Sequence, residues 1–268
     1  MPVKLIACDL DNTLTENAFI LPEIKDFLQK IVNRGIKFVI NSGRCLKEIR
    51  RILLESKIYP SLGFPQAIIS GQGVNIHYLK GEDYVADEVW NKEKEEQLKL
   101  MQREIGWEGI KWEKLIKEMN LFPKEKRISY GSFALKFDRE KDAKLARDVL
   151  IQKNHIKYVT FLRNKGYITA SLSTALKGKS LARASQHFNI PASQVLAIGD
   201  SQNDEDMLNG KFGFLSAAPS NADEEIKEIV NKNGGYIALQ PIGKGTIEAI
   251  NSFLLKNNTY LGKKEFRL

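Results

Sequence analysis

Two stretches of this 268-residue chain crowd carboxylates directly behind short apolar runs. Asp9-Leu10-Asp11-Asn12-Thr13 follows the run Val3 to Cys8, and Gly199-Asp200-Ser201-Gln202-Asn203-Asp204 follows Val195 to Ile198. Each run is short enough for a buried strand, and ligands bind beyond the C-terminal ends of strands in open α/β sheets. Carboxylates packed there repel one another unless a cation offsets them. A calcium loop fails in both places: Leu14 and Ile20 occupy its glycine and glutamate positions counted from Asp9, and Glu205 its glycine position counted from Asp200. The bland alternative for the first cluster is an acidic loop in which Thr13 caps a helix. If the strand order reverses between the two runs, the clusters face each other and suit one Mg²⁺, a hard cation that prefers carboxylate, water and phosphate oxygens.

A divalent ion among aspartates usually serves phosphoryl chemistry, which needs donors for the non-bridging oxygens. Asn41-Ser42-Gly43-Arg44 ends another apolar run and opens a helix, offering the Ser42 hydroxyl, the Gly43 amide and the positive end of the helix dipole. Ser42 also reads as an ordinary helix cap. Lys177-Gly178-Lys179 precedes a further helix and supplies a lysine that would neutralise phosphate, a weak signal by itself. Gly178-Lys179-Ser180 imitates the end of a P-loop, but Ser173 stands where its first glycine belongs. Gly71-Gln72-Gly73 starts a dinucleotide fingerprint that Ile76 breaks, and His77, His155 and His187 have no metal or triad spacing. Cys45 reads as a small buried hydrophobe rather than a nucleophile.

The elements that must position these groups alternate. A strand over Val3 to Cys8, a helix from Pro22 to a cap at Gly35, a strand over Ile36 to Ile40, a helix through Leu46, Ile49 and Leu53, and a strand over Gln66 to Ser70 predict a parallel sheet with right-handed crossovers. The alternation returns with a helix from Lys179 to Phe188, a strand over Val195 to Ile198, a helix after Asp204 and a strand over Phe212 to Leu215. Helices over Asp223 to Asn231 and Thr246 to Leu255 follow. Between these halves the spacing predicts charged helices over Asn91 to Glu104 and Lys111 to Met119, a strand over Ser132 to Phe137, a helix over Arg139 to Lys153, and a hairpin of Lys157 to Leu162 with Tyr167 to Leu172. The expected fold class is therefore α/β: a doubly wound, Rossmann-like parallel sheet, residues 1–85 plus 173–268, with an α+β domain of residues 86–172 inserted into it.

Composition sets outer bounds. With 43% hydrophobic and 28% charged residues the chain can bury real cores, which excludes disorder. Two cysteines cannot make a disulfide framework, so a reducing, cytoplasmic setting is expected. No segment reaches the roughly 18 apolar residues of a membrane span. The formal charge of +8 fits an anionic partner. That charge does not choose between nucleic acid and a phosphorylated metabolite. No arginine-rich run with interleaved aromatics appears, so a solvated surface is favoured over a nucleic-acid patch. A basic nucleic-acid-binding protein stays as the alternative of a different class, and oligomeric state is not legible.

Together these motifs resemble the haloacid dehalogenase (HAD) superfamily of phosphohydrolases. Asp-Leu-Asp-Asn-Thr at 9–13 matches its first motif, Ser42 its second, Lys177 its third and Gly-Asp-Ser-Gln-Asn-Asp at 199–204 its fourth, in order and across nearly the whole chain. The insertion is similar to a C2 cap, in its smaller C2B form, as in sugar-phosphatase-like members and phosphomannomutases. Gln72-Gly73 departs from the Asn-Gly of many relatives, and Asn221-Ala222 matches a later Asn-Ala. The resemblance implies hydrolysis of a small phosphomonoester such as a sugar phosphate, with a phosphomutase as the alternative within the superfamily. It further implies that Asp9 is the nucleophile forming an aspartyl-phosphate and Asp11 the acid and base. Mg²⁺ would be held by the Asp9 carboxylate, the Asp11 carbonyl and Asp200, with Asp204 ordering the site. Thr13, Ser42, Gly43 and Asn203 would bind the phosphoryl group, and Lys177 would offset its charge.

Overall fold

A computed structural model of the chain describes residues 2–129 and 132–257. Its larger sheet has eight strands: β1 (Leu5–Cys8), β2 (Lys37–Asn41), β3 (Ala67–Ser70), β4 (Asn75–Lys80), β5 (Asp83–Ala86), β10 (Val195–Ile198), β11 (Leu215–Ala218) and β12 (Tyr236–Ile237). They lie in the order β12-β11-β10-β1-β2-β3-β4-β5, parallel from β12 to β3, with β4 and β5 added as an antiparallel edge. The order reverses between β1 and β10, whose residues pair from Leu5 with Val195 to Cys8 with Ile198. The ends of these neighbours carry the two acidic motifs, at the switch point where α/β sheets bind ligands.

These central strands are buried on both faces, so their residues alternate between two apolar clusters. Ile6, Cys8, Phe38, Ile40 and Ile198 share one cluster with Ile24 and Leu28 of α1 (Pro22–Asn33), Ile49 of α2 (Leu46–Glu55) and Ile250 of α8 (Ile242–Asn257). Leu5, Ala7, Val39, Val195 and Ala197 share the other with Leu181 of α5 (Lys177–His187), Met207 of α6 (Glu205–Leu208) and Ile226 of α7 (Glu224–Lys232).

A second, antiparallel sheet is built from β6 (Glu125–Ser129), β7 (Ser132–Lys136), β8 (Val159–Asn164) and β9 (Tyr167–Leu172), in the order β6-β7-β9-β8. It shares an apolar cluster with α3 (Glu88–Glu118) and α4 (Glu140–Lys153), in which Trp112 meets Phe161 edge-on at 4.8 Å. Among the described residues, no helix is long and apolar enough to cross a membrane.

Several expected elements are corrected. The two charged helices of the insertion are one 31-residue helix, α3. Gly109, in the expected gap, is a packing glycine: a Cβ there would lie 3.0 Å from Ile128 and 3.4 Å from Phe133, so the helix presses directly on the sheet. The strand expected over Phe212 to Leu215 lies three residues later, as β11. Gly210 and Gly213, both at φ +78°, keep the preceding segment in turns, and the small residues of Leu215-Ser216-Ala217-Ala218 fit a strand covered on both faces. The β4–β5 hairpin, β6 and β12 were not expected. α5 begins at Lys177 rather than Lys179, and α8 at Ile242 rather than Thr246.

Candidate active site

Beyond Cys8 the chain leaves extended geometry. Asn12 adopts φ +57°, and the Leu10 carbonyl accepts from the amides of Leu14 and Thr15, so the first motif folds into a tight loop over the strand end. Asn221 donates to the Asn12 carbonyl at 2.9 Å and Thr246 to the Thr13 carbonyl at 2.7 Å, which anchors this loop to the chain's last third. Asp9 remains at the strand end, 5% exposed. In the fourth motif, Asp204 turns back so that its Oδ2 accepts the amides of Asp200 and Ser201 at 3.0 and 3.1 Å. Gly199 leaves the room this needs, since a Cβ there would lie 2.5 Å from the Asp204 carboxyl carbon. Asp200 and Asp204, four residues apart, are thus brought together by a 3₁₀ turn, Gln202–Asp204, closed by a carboxylate cap.

The third motif joins the two. Lys177 Nζ donates to Asp9 Oδ1 and to Asp204 Oδ1, each at 2.6 Å, from a side chain with no exposure. Its helix is held in place from below: Asn41 donates to the Lys177 carbonyl at 2.9 Å, and Asp206 accepts the Gly178 amide at 2.9 Å. Thr13 donates to Asp200 Oδ1 at 3.0 Å, and Ser201 to Asp200 Oδ2 at 3.0 Å. One oxygen from each of Asp9, Asp200 and Asp204 lies within 4.8 Å of the others.

This cluster carries more negative charge than Lys177 balances. Burial pushes the Asp9 carboxyl well above the usual range; Lys177 opposes this, while Asp204 and Asp200 reinforce it. Burial and then Asp204 push Asp200 up to about 7. Burial acts to lower the Lys177 pKa and is outweighed by Asp204 and Asp9, so it stays charged. Three buried carboxylates held within reach of one another, with proton affinity raised at Asp9 and Asp200, offer hard oxygen donors in an environment a small divalent cation would relieve, so the residues fit Mg²⁺. Asn203 Oδ1 is also buried and, among the described residues, accepts no hydrogen bond.

The Asp11 carboxylate stands apart from that cluster. Arg44 clasps it with Nε on Oδ2 and Nη2 on Oδ1, both at 2.8 Å. Sequence reasoning passed over Arg44; its signal was an arginine directly after Ser42-Gly43 at a strand end. Ser42 is buried and its hydroxyl accepts from the Arg44 amide at 3.2 Å, but it does not cap a helix. α2 starts later, with Cys45 as the cap residue and the Glu48 carboxylate accepting the Cys45 amide at 3.1 Å, so Gly43 is not at the helix terminus either. Gly43 instead lies under the Gln72 amide, which a Cβ would meet at 2.5 Å. Gln72 in turn accepts from Asn203 at 3.5 Å.

A cavity of about 340 Å³ opens above these groups, lined by Asp9, Asp11, Gly43, Arg44, Glu48, Gln72, Asn164 and Asn203. Asn164 comes from the tip of the β8–β9 hairpin, which is seated on the fourth motif. The Arg163 amide donates to the Gln202 side chain at 2.7 Å, and the Arg163 guanidinium, 4% exposed, binds Asp223 at 3.1 Å and also Glu225.

Comparison with known proteins bears on family and fold. Residues 2–254 match the family described as sucrose-6F-phosphate phosphohydrolase. A phosphoglycolate phosphatase of Methanobrevibacter smithii is 25% identical over 261 residues, covering 95% of this chain and all of that protein. A 59-residue stretch, 22% of this chain and 24% of its relative, is 48% identical to a phosphoglycolate phosphatase of Picrophilus torridus. Among solved structures, the sucrose-phosphatase from Synechocystis sp. PCC6803, in complex with sucrose and phosphate, superposes with a TM-score of 0.64 at 16% identity, over 94% of this chain and 98% of that one. The HAD subclass IIB sugar phosphatase BT4131 superposes with a TM-score of 0.60 at 16% identity, over 94% and 99%. With its four motifs gathered at one switch point, the chain belongs to the sucrose-6F-phosphate phosphohydrolase family of HAD-like phosphatases.

Proposed function

We propose that the cavity hydrolyses a small phosphomonoester, a sugar phosphate or related metabolite, in two steps through a phosphoryl group carried on Asp9. The observation that carries this reading is the Asp9 carboxylate itself: a buried side chain that lines the cavity, with Oδ1 held by Lys177, so that the other oxygen would be the one to meet an incoming phosphorus. Asp9 attacks phosphorus as the bond to the leaving oxygen breaks, which splits one difficult displacement into two. Asp11 protonates the leaving oxygen; its clasp by Arg44 opens when the substrate phosphate competes for the guanidinium. Asp11 then takes a proton from water, the water oxygen bonds to phosphorus, and the bond to Asp9 breaks to release phosphate. Thr13, Ser42, Gly43 and Asn203 orient the phosphoryl oxygens directly or through the groups they hold.

Mg²⁺ would be held by the Asp9 carboxylate, the Asp11 carbonyl and Asp200, with Asp204 fixing Asp200 and Lys177 in place. When bound it would supply charge neutralisation for the transferring phosphoryl group.

In the same reading, residues 1–85 and 173–268 form the catalytic core, and residues 86–172 form a C2B-type cap whose hairpin residue Asn164 reaches the leaving-group side of the cavity. A cytoplasmic setting accords with Cys8 and Cys45 both being free. The test is a panel of phosphorylated metabolites with released phosphate as the readout. Hydrolysis of sugar phosphates that EDTA abolishes and Mg²⁺ restores is the expected result; transfer of the phosphate to a second hydroxyl without release, or full activity in metal-free buffer, would overturn the reading.

A further inference from the structure

A second cavity, of about 490 Å³, lies between the first turns of α3 and the middle of α5, and Trp90, Lys94, Lys179, Arg183 and Phe212 are among its lining residues. It shares no lining residue with the catalytic cavity. Three cationic side chains, Lys94, Lys179 and Arg183, and one carboxylate, Glu93, line it, and of the three cations two have carboxylate partners. Arg183 is matched by Asp87, through hydrogen bonds of 2.8 and 3.1 Å. Lys94 is 5% exposed, with its Nζ 4.5 Å from the centre of the Trp90 ring and 2.8 Å from Glu93, a carboxylate left 54% exposed to water. Lys179 has no such match. Its ammonium donates to the Ser173 carbonyl at 2.9 Å, and among the described residues it has no ion pair with a carboxylate. Partial burial, then Lys211 and Lys94, lower its proton affinity; Asp206 opposes them. A half-buried lysine facing other cations in a cleft is short of an anion.

We propose that this cleft is a binding site for a small phosphate-bearing anion, with Lys179 as its principal partner and Lys94 and Arg183 as flanking cations. A dianion suits it better than a single carboxylate, because it neutralises Lys179 and still draws on two cations whose own carboxylates are shared with solvent or another donor. The volume admits a molecule the size of a phosphorylated sugar. Such a ligand would bridge α3, which opens the inserted unit, and α5, which carries Lys177 in its first turn, so it would tie the position of the insertion to the catalytic lysine's helix.

Equilibrium dialysis of the full chain with labelled inorganic phosphate, in the presence of Mg²⁺, tests this. Two phosphates per chain are expected for the wild type and one for Lys179→Gln, with unchanged turnover of nitrophenyl phosphate. Lys179→Arg should retain two. In Lys94→Gln, if it folds as judged by circular dichroism, affinity at the second site should fall about tenfold, as for one charge-assisted hydrogen bond. One phosphate per chain in the wild type that Lys179→Gln retains, or two in Lys179→Gln, would overturn the proposal, whereas one in the wild type and none in Lys179→Gln would uphold the cleft and count against phosphate binding in the catalytic cavity. Malonate displacing the second phosphate at equal affinity would overturn the assignment to phosphate.

Discussion

Lys177 Nζ lies 2.6 Å from Asp9 Oδ1, a contact between residues 168 positions apart that joins the buried acidic cluster from within the protein. The lysine serves charge balance and architecture together, because Asp204 shares the same ammonium.

Replacing Lys177 by Met removes the one cation that, among the described residues, contacts this cluster of carboxylates. Turnover should be lost, and unfolding in urea with EDTA present should show a destabilisation of about 3–5 kcal/mol, the usual consequence of leaving buried charge uncompensated. Added Mg²⁺ should recover part of that loss. A variant as stable as the wild type in EDTA would mean that the carboxylates are protonated without the lysine and need no partner.

Asp11 is separated from Asp9 by its pairing with Arg44, and its proposed role is proton transfer. Asp11→Asn should slow phosphoenzyme formation by about 10²–10⁴ with a sugar phosphate, whose alkoxide needs a proton, and far less with nitrophenyl phosphate. With the latter, rapid mixing should reveal a burst approaching one nitrophenol per site, followed by a stall. Equal slowing for both substrates, without a burst, would assign Asp11 to the metal or the fold.

Arg163 of the β8–β9 hairpin ties that hairpin to Asp223 and Glu225, and its pairing with Asp223 should register as coupling. In a double-mutant cycle of Arg163→Met and Asp223→Asn, an interaction of about 0.5–3 kcal/mol is expected in urea unfolding. Arg163→Met should also alter relative kcat/KM among sugar phosphates while sparing nitrophenyl phosphate. Additive energies with unchanged preferences would show that the pairing of Arg163 with Asp223 does not seat the hairpin.

Gly73 lies at φ +92°, and a Cβ there would fall 1.8 Å from the Ala175 carbonyl. Gly73→Ala must therefore move the loop that leads into Lys177, and a loss of about 3 kcal/mol or more is expected in thermal or urea unfolding. A near-neutral outcome would mean that this loop shifts freely.

The legible parts of the molecule were those written in local pattern. Continuous apolar runs marked β1, β2, β3 and β10, and acidic motifs behind two of them located the switch point, because strand burial and strand-end chemistry leave short-range signatures. The β11 register was hidden by Gly210 and Gly213, which place the apolar residues ahead of the strand. The single length of α3 was hidden because Gly109 is explained by a sheet that lies later in the chain. Arg44 and Arg163 could not be assigned from sequence alone, since each is defined by a carboxylate 33 or 60 residues away. Gln72, a departure from the resemblance, acquires its meaning only from Gly43 beneath it and Asn203 beside it.

The most direct measurement is rapid acid quench of the enzyme during a single turnover of a ³²P-labelled sugar phosphate with saturating Mg²⁺, followed by mapping of the labelled peptide. Label should appear on Asp9 before free phosphate accumulates, in a hydroxylamine-sensitive linkage, and it should be absent from Asp9→Asn. Free phosphate formed at the full rate with no protein-bound label at any time, or label on another residue, would contradict the assignment of Asp9 as the group that carries the phosphoryl.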